Sequence, residues 1–322
     1  MIEAAHRWRE QGAAIARTRD GQAAIALGVI GLALWLVSRF RPSVVPFWLP
    51  WDFSTLWYAA FAFTGFCYVR GLRTVPTTRW RTVLFVAGML AIWTVIQTRY
   101  EYLALHMFFY NRIQHMMMHH LGPFLIALAW PWPTIIAGMP APARRVVEGR
   151  WVRAAIRFAR QPEVACIAFV GLLVLWLIPS VHLVAMLDPV LYHVMNWSMV
   201  IDGLLFWNLV LDPREPGEAG IGYVGRAAVG VVVMFPQIAI GATLCFAGRD
   251  LYPFYSWCGR LYAGISPISD QRIGGVVVWE SPSMMSVAAL ILVLNAKRRF
   301  DEKQSDGTKA PGAISSAAWT GR

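Results

Sequence analysis

Charge is what this sequence lacks. Asp, Glu, Lys and Arg make up 15% of the 322 residues, where a soluble globular protein carries roughly 25%. Hydrophobic residues reach 57% and mean hydropathy is +0.49, which excludes a water-soluble domain and implies an integral membrane protein. Acidic residues are the scarcer kind, 18 against 29 Lys and Arg. The basic excess lies in short runs between apolar segments, where it sets topology; a nucleic-acid partner is not expected. Cysteine is scarce too. Cys67, Cys166, Cys245 and Cys258 are scattered with no CxxC, which leaves out a thioredoxin-like pair, a zinc knuckle and c-type heme attachment. GxSxG, HExxH, phosphate-loop and dinucleotide fingerprints are also missing in any defensible context, so the chain reads as no enzyme.

What is present is a series of apolar runs of membrane-crossing length, about 17–25 residues each. They fall at roughly 21–38, 53–70, 82–98, 114–138, 164–186, 189–211, 227–247 and 273–295. The spacing therefore predicts an all-α bundle of about eight transmembrane helices over 21–296. A basic segment, 1–20, precedes it, and a disordered tail, 297–322, follows. The run 21–38 is longer than the 7–15 residues of a signal peptide's apolar region and has no small-residue cleavage site after it, so it is expected to be a retained span. Pro123, Pro131 and Pro133 should kink the fourth span. Alternate loops hold only Arg39, Arg41, Arg99, Arg112, Arg249, Arg260 and Arg272, seven of the 29 basic residues. The positive-inside rule then places both termini in the cytoplasm.

That topology gathers six of the seven histidines in one leaflet, the non-cytoplasmic one; His6 is the exception. The stretch QHMMMHHLGP (114–123) is the densest part. On a helix of 3.6 residues per turn, Asn111, His115, Met118, His119 and Gly122 share a stripe. In the sixth span Tyr192, Met195 and Met199 form one stripe, and His193, Asn196 and Trp197 an adjacent one. Imidazoles at i and i+4 can grip one metal ion, and thioethers favour cuprous copper. The same residues can simply pack a bundle, and two histidines on facing helices can ligate heme.

Three segments carry a family resemblance: QHMMMHHLGPFLIALAWP (114–131), LYHVMNWSMVIDGLLFWNLVLDP (191–213) and SPISDQRIGGVVVWE (266–280). In this order the chain resembles the CtaG-type cytochrome c oxidase assembly factors, multi-span membrane proteins. The most specific match is Asp270-Gln271 with Gly274. Asn111 and Trp197 stand where the family commonly has histidine, and His119 and His120 are additional. The resemblance implies a bacterial inner (plasma) membrane protein that works with cytochrome c oxidase subunits or other assembly factors. Copper, cuprous in this setting, is the implied cargo. His115 and His119 would be donors with Met116 or Met118, joined by His193 and His182 from neighbouring helices. Asp270 and Gln271 would orient a ligand or contact the partner. A heme-binding assembly protein and a copper transporter are the alternatives.

Reporter fusions after Pro189 and after Gly217 should report opposite faces of the membrane. A common face for both would break the eight-span reading.

Overall fold

The computed structural model describes residues 18–257 and 259–309; most of the basic N-terminal segment, with His6, and Cys258 lie outside the described residues. All regular elements among the described residues are helical. The first, α1 (Arg19–Phe40), is started by Thr18, whose hydroxyl accepts the Gly21 N–H at 3.0 Å, satisfying a first-turn donor. It buries only Gly21, Gly31 and Ser38 and leaves Ile25, Val29, Leu32 and Leu36 open. Apolar surface of that extent suits hydrocarbon, not water. At Gly31, α2 (Thr55–Gly71) comes so close that a β-carbon would meet the Tyr58 ring at 2.5 Å. α3 (Arg79–Gln97) and the short α4 (Tyr100–His106) follow.

The fourth span departs from expectation at both ends. α5 (Phe108–Met116) begins six residues before 114, so Arg112, which the sequence placed in a loop, is inside a helix and buried. A π turn (Met117–Leu121) leads into α6 (Gly122–Ala129). The chain then bends by 77° into α7 (Trp132–Gly138). Pro131 disfavours right-handed helix at the residue before it, and Trp130 sits at φ 49°, the left-handed region, at a cost of about 1–2 kcal/mol. α7 folds back on α2 with backbone against backbone: β-carbons on Gly71 and Gly138 would lie 1.8 and 1.9 Å from carbonyl oxygens.

α8 (Ala141–Val147) and α9 (Arg150–Ala159) carry the arginine-rich connection, and α10 (Pro162–Leu177) leaves α9 at 76°. The fifth expected span, 164–186, is likewise two helices. Pro179 has no N–H to extend α10, and it opens α11 (Pro179–Leu187) instead. α12 (Pro189–Val210) turns away from α11 by 115°. Its start is capped by Asp188, which accepts the N–H groups of Val190 and Leu191 at 2.8 and 2.9 Å. α12 is the central helix, burying residues from Tyr192 to Val210 on several faces. After α13 (Pro216–Ala219), α14 (Tyr223–Val232) and α15 (Met234–Phe246) comes α16 (Pro267–Lys309), 43 residues long.

At 1.5 Å per residue α16 extends ~65 Å, about twice the ~30 Å hydrocarbon core. It stays helical through 297–309, where the sequence predicts a tail without structure; residues 310–322 lie outside the described ones. Ion pairs at i,i+4 support this extension, Lys297–Asp301 at 2.5 Å and Arg298–Glu302 at 3.6 Å. Four helical stretches among the described residues, with α14 and α15 counted as one, can cross a membrane by length and apolarity, or up to seven if each bent pair is one span. The eighth expected span is α2, which at 17 residues reaches ~26 Å.

α12 and the π turn touch through Gly203, where a β-carbon would lie 2.4 Å from the His119 carbonyl oxygen. Backbone cannot yield as a side chain can, so Gly203→Ala should destabilise the detergent-purified protein by about 1–3 kcal/mol. Thermal unfolding reads this; an unchanged midpoint would refute the close approach.

Candidate functional site

Where α5, the π turn, α10, α12 and α16 meet, the chain encloses a cavity of about 10 Å³, room for one water-sized body. Its walls carry Arg112, His115, Met116, His120 and Met199, closed by Leu173, Val277, Val278 and Pro282. Pro282 adds a polar feature, because it has no N–H to give the Val278 carbonyl one turn earlier.

The π turn decides which histidines meet. Its hydrogen bonds run five residues instead of four, so His115 and His120 face the same cavity. His119, expected to share a stripe with His115, stays near it but does not line the cavity. His119 turns towards α12, where its Nε2–H donates to Asp202 Oδ2 at 2.9 Å, and its ring stacks on Phe169 at 4.1 Å. Met118 points the other way, fully buried with Trp57 and Ile92.

Three buried imidazoles here keep ring nitrogens with no hydrogen-bond partner: both of His115, Nδ1 of His119 and Nδ1 of His120. Buried polar atoms are rarely left so. The other nitrogens are held. Asp202 fixes His119, and the Gln237 amide nitrogen lies 3.2 Å from His120 Nε2 while the amide oxygen has no donor. With that amide turned over, the oxygen accepts the imidazole N–H and His120 Nδ1 keeps a free lone pair. A carboxylate or amide behind an imidazole is the usual support of a metal-binding histidine.

Arg112 works against a cation. It is buried and has no carboxylate partner among the described residues. One Nη donates to Asn111 Oδ1, the guanidinium lies 5.0 Å from the centre of the Phe108 ring, and Nε and the other Nη have no partner. Among the described residues, no three His, Cys, Asp or Glu side chains are grouped closely enough to hold a metal ion. The donor set at the cavity is two imidazoles and two thioethers.

The other expected site residues do not line the cavity. His182 joins two helices: its Nδ1–H donates to the Trp176 carbonyl near the end of α10 at 3.0 Å, and Nε2 accepts from Tyr255 Oη at 3.0 Å. His193 is exposed on α12. Asp270 accepts the N–H groups of Phe108 and Phe109 at 3.0 and 2.7 Å and pairs with Arg260 at 2.7 Å. It thus caps α5 from another helix. Gln271 accepts the Leu251 N–H at 2.7 Å and donates to the carbonyls of Leu244 and Arg249. At Gly274 a β-carbon would strike the Phe108 ring at 2.5 Å. Asp270, Gln271 and Gly274 together seat α5, and with it Arg112 and His115, against α16. Trp197 stacks on Trp57 at 3.7 Å, on the side of α12 away from the cavity.

Sequence reasoning gave His120, Met199 and Asp202 too little weight, did not single out Gln237, and read Arg112 only as a loop charge. A five-residue spacing is a signal only once the π turn is known. The remaining signal is a basic or acidic residue inside an apolar run, which is costly and implies a partner.

The chain is thus a multi-helix membrane protein in which two buried imidazoles with unpartnered nitrogens, His115 and His120, line one small cavity. The family model for the cytochrome c oxidase caa3 assembly factor (Caa3_CtaG) matches residues 65–299, and the chain belongs to that family. No curated protein and no solved structure matches it.

Glu101 lies on α4, outside the apolar runs. Burial pushes its carboxyl up to about 8, the Asp52 carboxylate adds to the rise, and a hydrogen bond from Tyr192 opposes it. Tyr192 Oη in turn accepts a hydrogen bond from the side-chain amide of Gln114, next to His115, at 3.1 Å. Between pH 4.5 and about 8 the folded chain holds a proton that the unfolded chain has lost, so stability falls as pH rises through that window. Glu101→Gln should unfold at the same temperature as wild type at pH 4 and at a higher one at pH 9. Parallel profiles for the two proteins would show Glu101 to be ordinary.

Proposed function

We propose that this caa3 oxidase assembly factor holds a single cuprous ion at the His115/His120 cavity and passes it to a nascent cytochrome c oxidase subunit. The observation that carries this reading is the set of three unpartnered ring nitrogens on the two buried histidines of the cavity, His115 and His120, beside Met116 and Met199. Imidazole with thioether is a borderline-to-soft donor set that suits cuprous copper. Arg112 keeps the hold weak, since its fixed charge repels the ion, and a weakly held cargo can be displaced by a partner's ligands. A cavity of about 10 Å³ favours an ion over heme, because a porphyrin would require the helices to part. The aromatic cluster of Phe124, Phe169, Phe206 and Trp207 blocks the way further along the bundle, which favours delivery over transport across it.

In this reading eight helices span a bacterial inner membrane, α2 among them, both termini are cytoplasmic, and the cavity opens to the outer side. The role is that of a carrier without catalysis.

Purified protein loaded with cuprous ion under reducing conditions should retain close to one copper per chain. His115→Ala/His120→Ala should remove it, and Gln237→Leu, which takes away the support behind His120, should weaken it by about tenfold through loss of orientation. Deleting the gene should lower assembled oxidase while its transcript stays constant. Wild-type protein that retains no copper, or a double variant that still does, would end the copper reading; normal oxidase levels after deletion would end the assembly role of this chain.

A further inference from the structure

A second pocket, of about 380 Å³, opens at the other end of the bundle between the start of α3, the end of α12, α14 and the late turns of α16. Arg299 lies 17 residues beyond Pro282 on α16, ~25 Å along the helix axis, so this pocket is separate from the histidine cavity. Its volume is in the range of small-molecule sites, about 300–1,000 Å³.

The charges around it divide into two sets. Asp212 is buried and fully engaged, by Arg160 at 2.7 Å and Arg214 at 2.5 Å. Arg226 is spent on three carbonyl oxygens, those of Ile221, Asp212 and Arg214. Arg81, Arg299 and Lys303 also line the pocket, and none of them has a carboxylate partner among the described residues. Glu215 is the acid left to offset those three cations. Beneath them the wall is apolar, with Val210, Leu292 and Val293, and Trp80, Tyr223 and Phe300 stand at its rim.

Cations over an apolar wall with aromatic side chains at the same level match an amphiphile at the membrane–water boundary. Basic pockets between membrane helices take anionic headgroups in this way. We propose that this pocket binds one anionic phospholipid, its phosphate held by Arg81, Arg299 and Lys303 and an acyl chain against Val210 and Val293. The α16 extension then has a task, since Arg299 and Lys303 lie on the part that runs beyond the apolar core. The inference is independent of the copper reading.

The test is native mass spectrometry of the full chain in neutral detergent, with phosphatidylglycerol, phosphatidylcholine or glycerol 3-phosphate added in turn. One phosphatidylglycerol should stay bound, at least about tenfold more tightly than phosphatidylcholine. Arg81→Gln/Arg299→Gln/Lys303→Gln should lose it. Arg150→Gln/Arg153→Gln/Arg157→Gln on α9, with the same change in charge, should keep it, and Lys303→Gln alone, at an exposed position, should weaken it measurably. Equal binding of the two lipids by wild type overturns the proposal whatever the variants do. So do undiminished binding in the pocket variants, an equal loss in the α9 variant, and glycerol 3-phosphate binding as tightly as the lipid.

Discussion

An open backbone amide or carbonyl in hydrocarbon has no water to turn to, and this chain breaks its helices repeatedly inside its apolar length. Its architecture rests on how those ends are closed. Asp188 caps α12 locally, as a soluble helix would be capped. Asp270 does the same for α5 from a helix more than 150 residues away in sequence, and His182 takes up a carbonyl near the break between α10 and α11. Residues that resemble ligands when read one at a time are thus joints between helices. The cost of unsatisfied groups in lipid is what fixes them in place.

The same constraint gives meaning to the groups left open. Nitrogens of His115, His119 and His120 remain without partners, as do both polar side-chain atoms of Asn196 and several buried tryptophan N–H groups; what sets the histidines apart is that His115 and His120 line one cavity with two thioethers. Asp202 and Gln237 each hold one nitrogen of an imidazole and leave the other free. Arg112 sits beside them as a buried charge with no carboxylate partner. Two tendencies therefore meet at one cavity, donors that attract a soft cation and a guanidinium that repels it.

The helical class, the positions of most apolar runs and the family were legible in the sequence, because lipid imposes length and polarity on each segment and because Asp270-Gln271 with Gly274 is distinctive. The breaks were less so. Pro131 and Pro179 are visible in the sequence, yet a proline in a membrane helix can kink, break or be tolerated, and only the packing of α7 on α2 and the His182 bond decide which. The early start of α5 was hidden because the Asp270 cap that starts the helix lies far along the chain. Which histidines share the cavity was hidden for a related reason: the 3.6-residue rule was carried across Met117–Leu121, where the helix is a π turn.

The π turn has a further consequence, for how related chains are to be compared. One residue beyond α-helical register rotates everything after it by about 100° relative to an unbroken helix. The faces of α5 and α6 are therefore set independently, so Arg112 and His115 can look into the cavity while Gly122 offers its bare surface to Ile92 of α3. A helical wheel drawn through 108–129 as a single helix superposes residues that lie on different sides of the span. Counting positions from each side of the turn separately restores the correct neighbours, and for a relative without the extra residue the two histidines would stand on different walls.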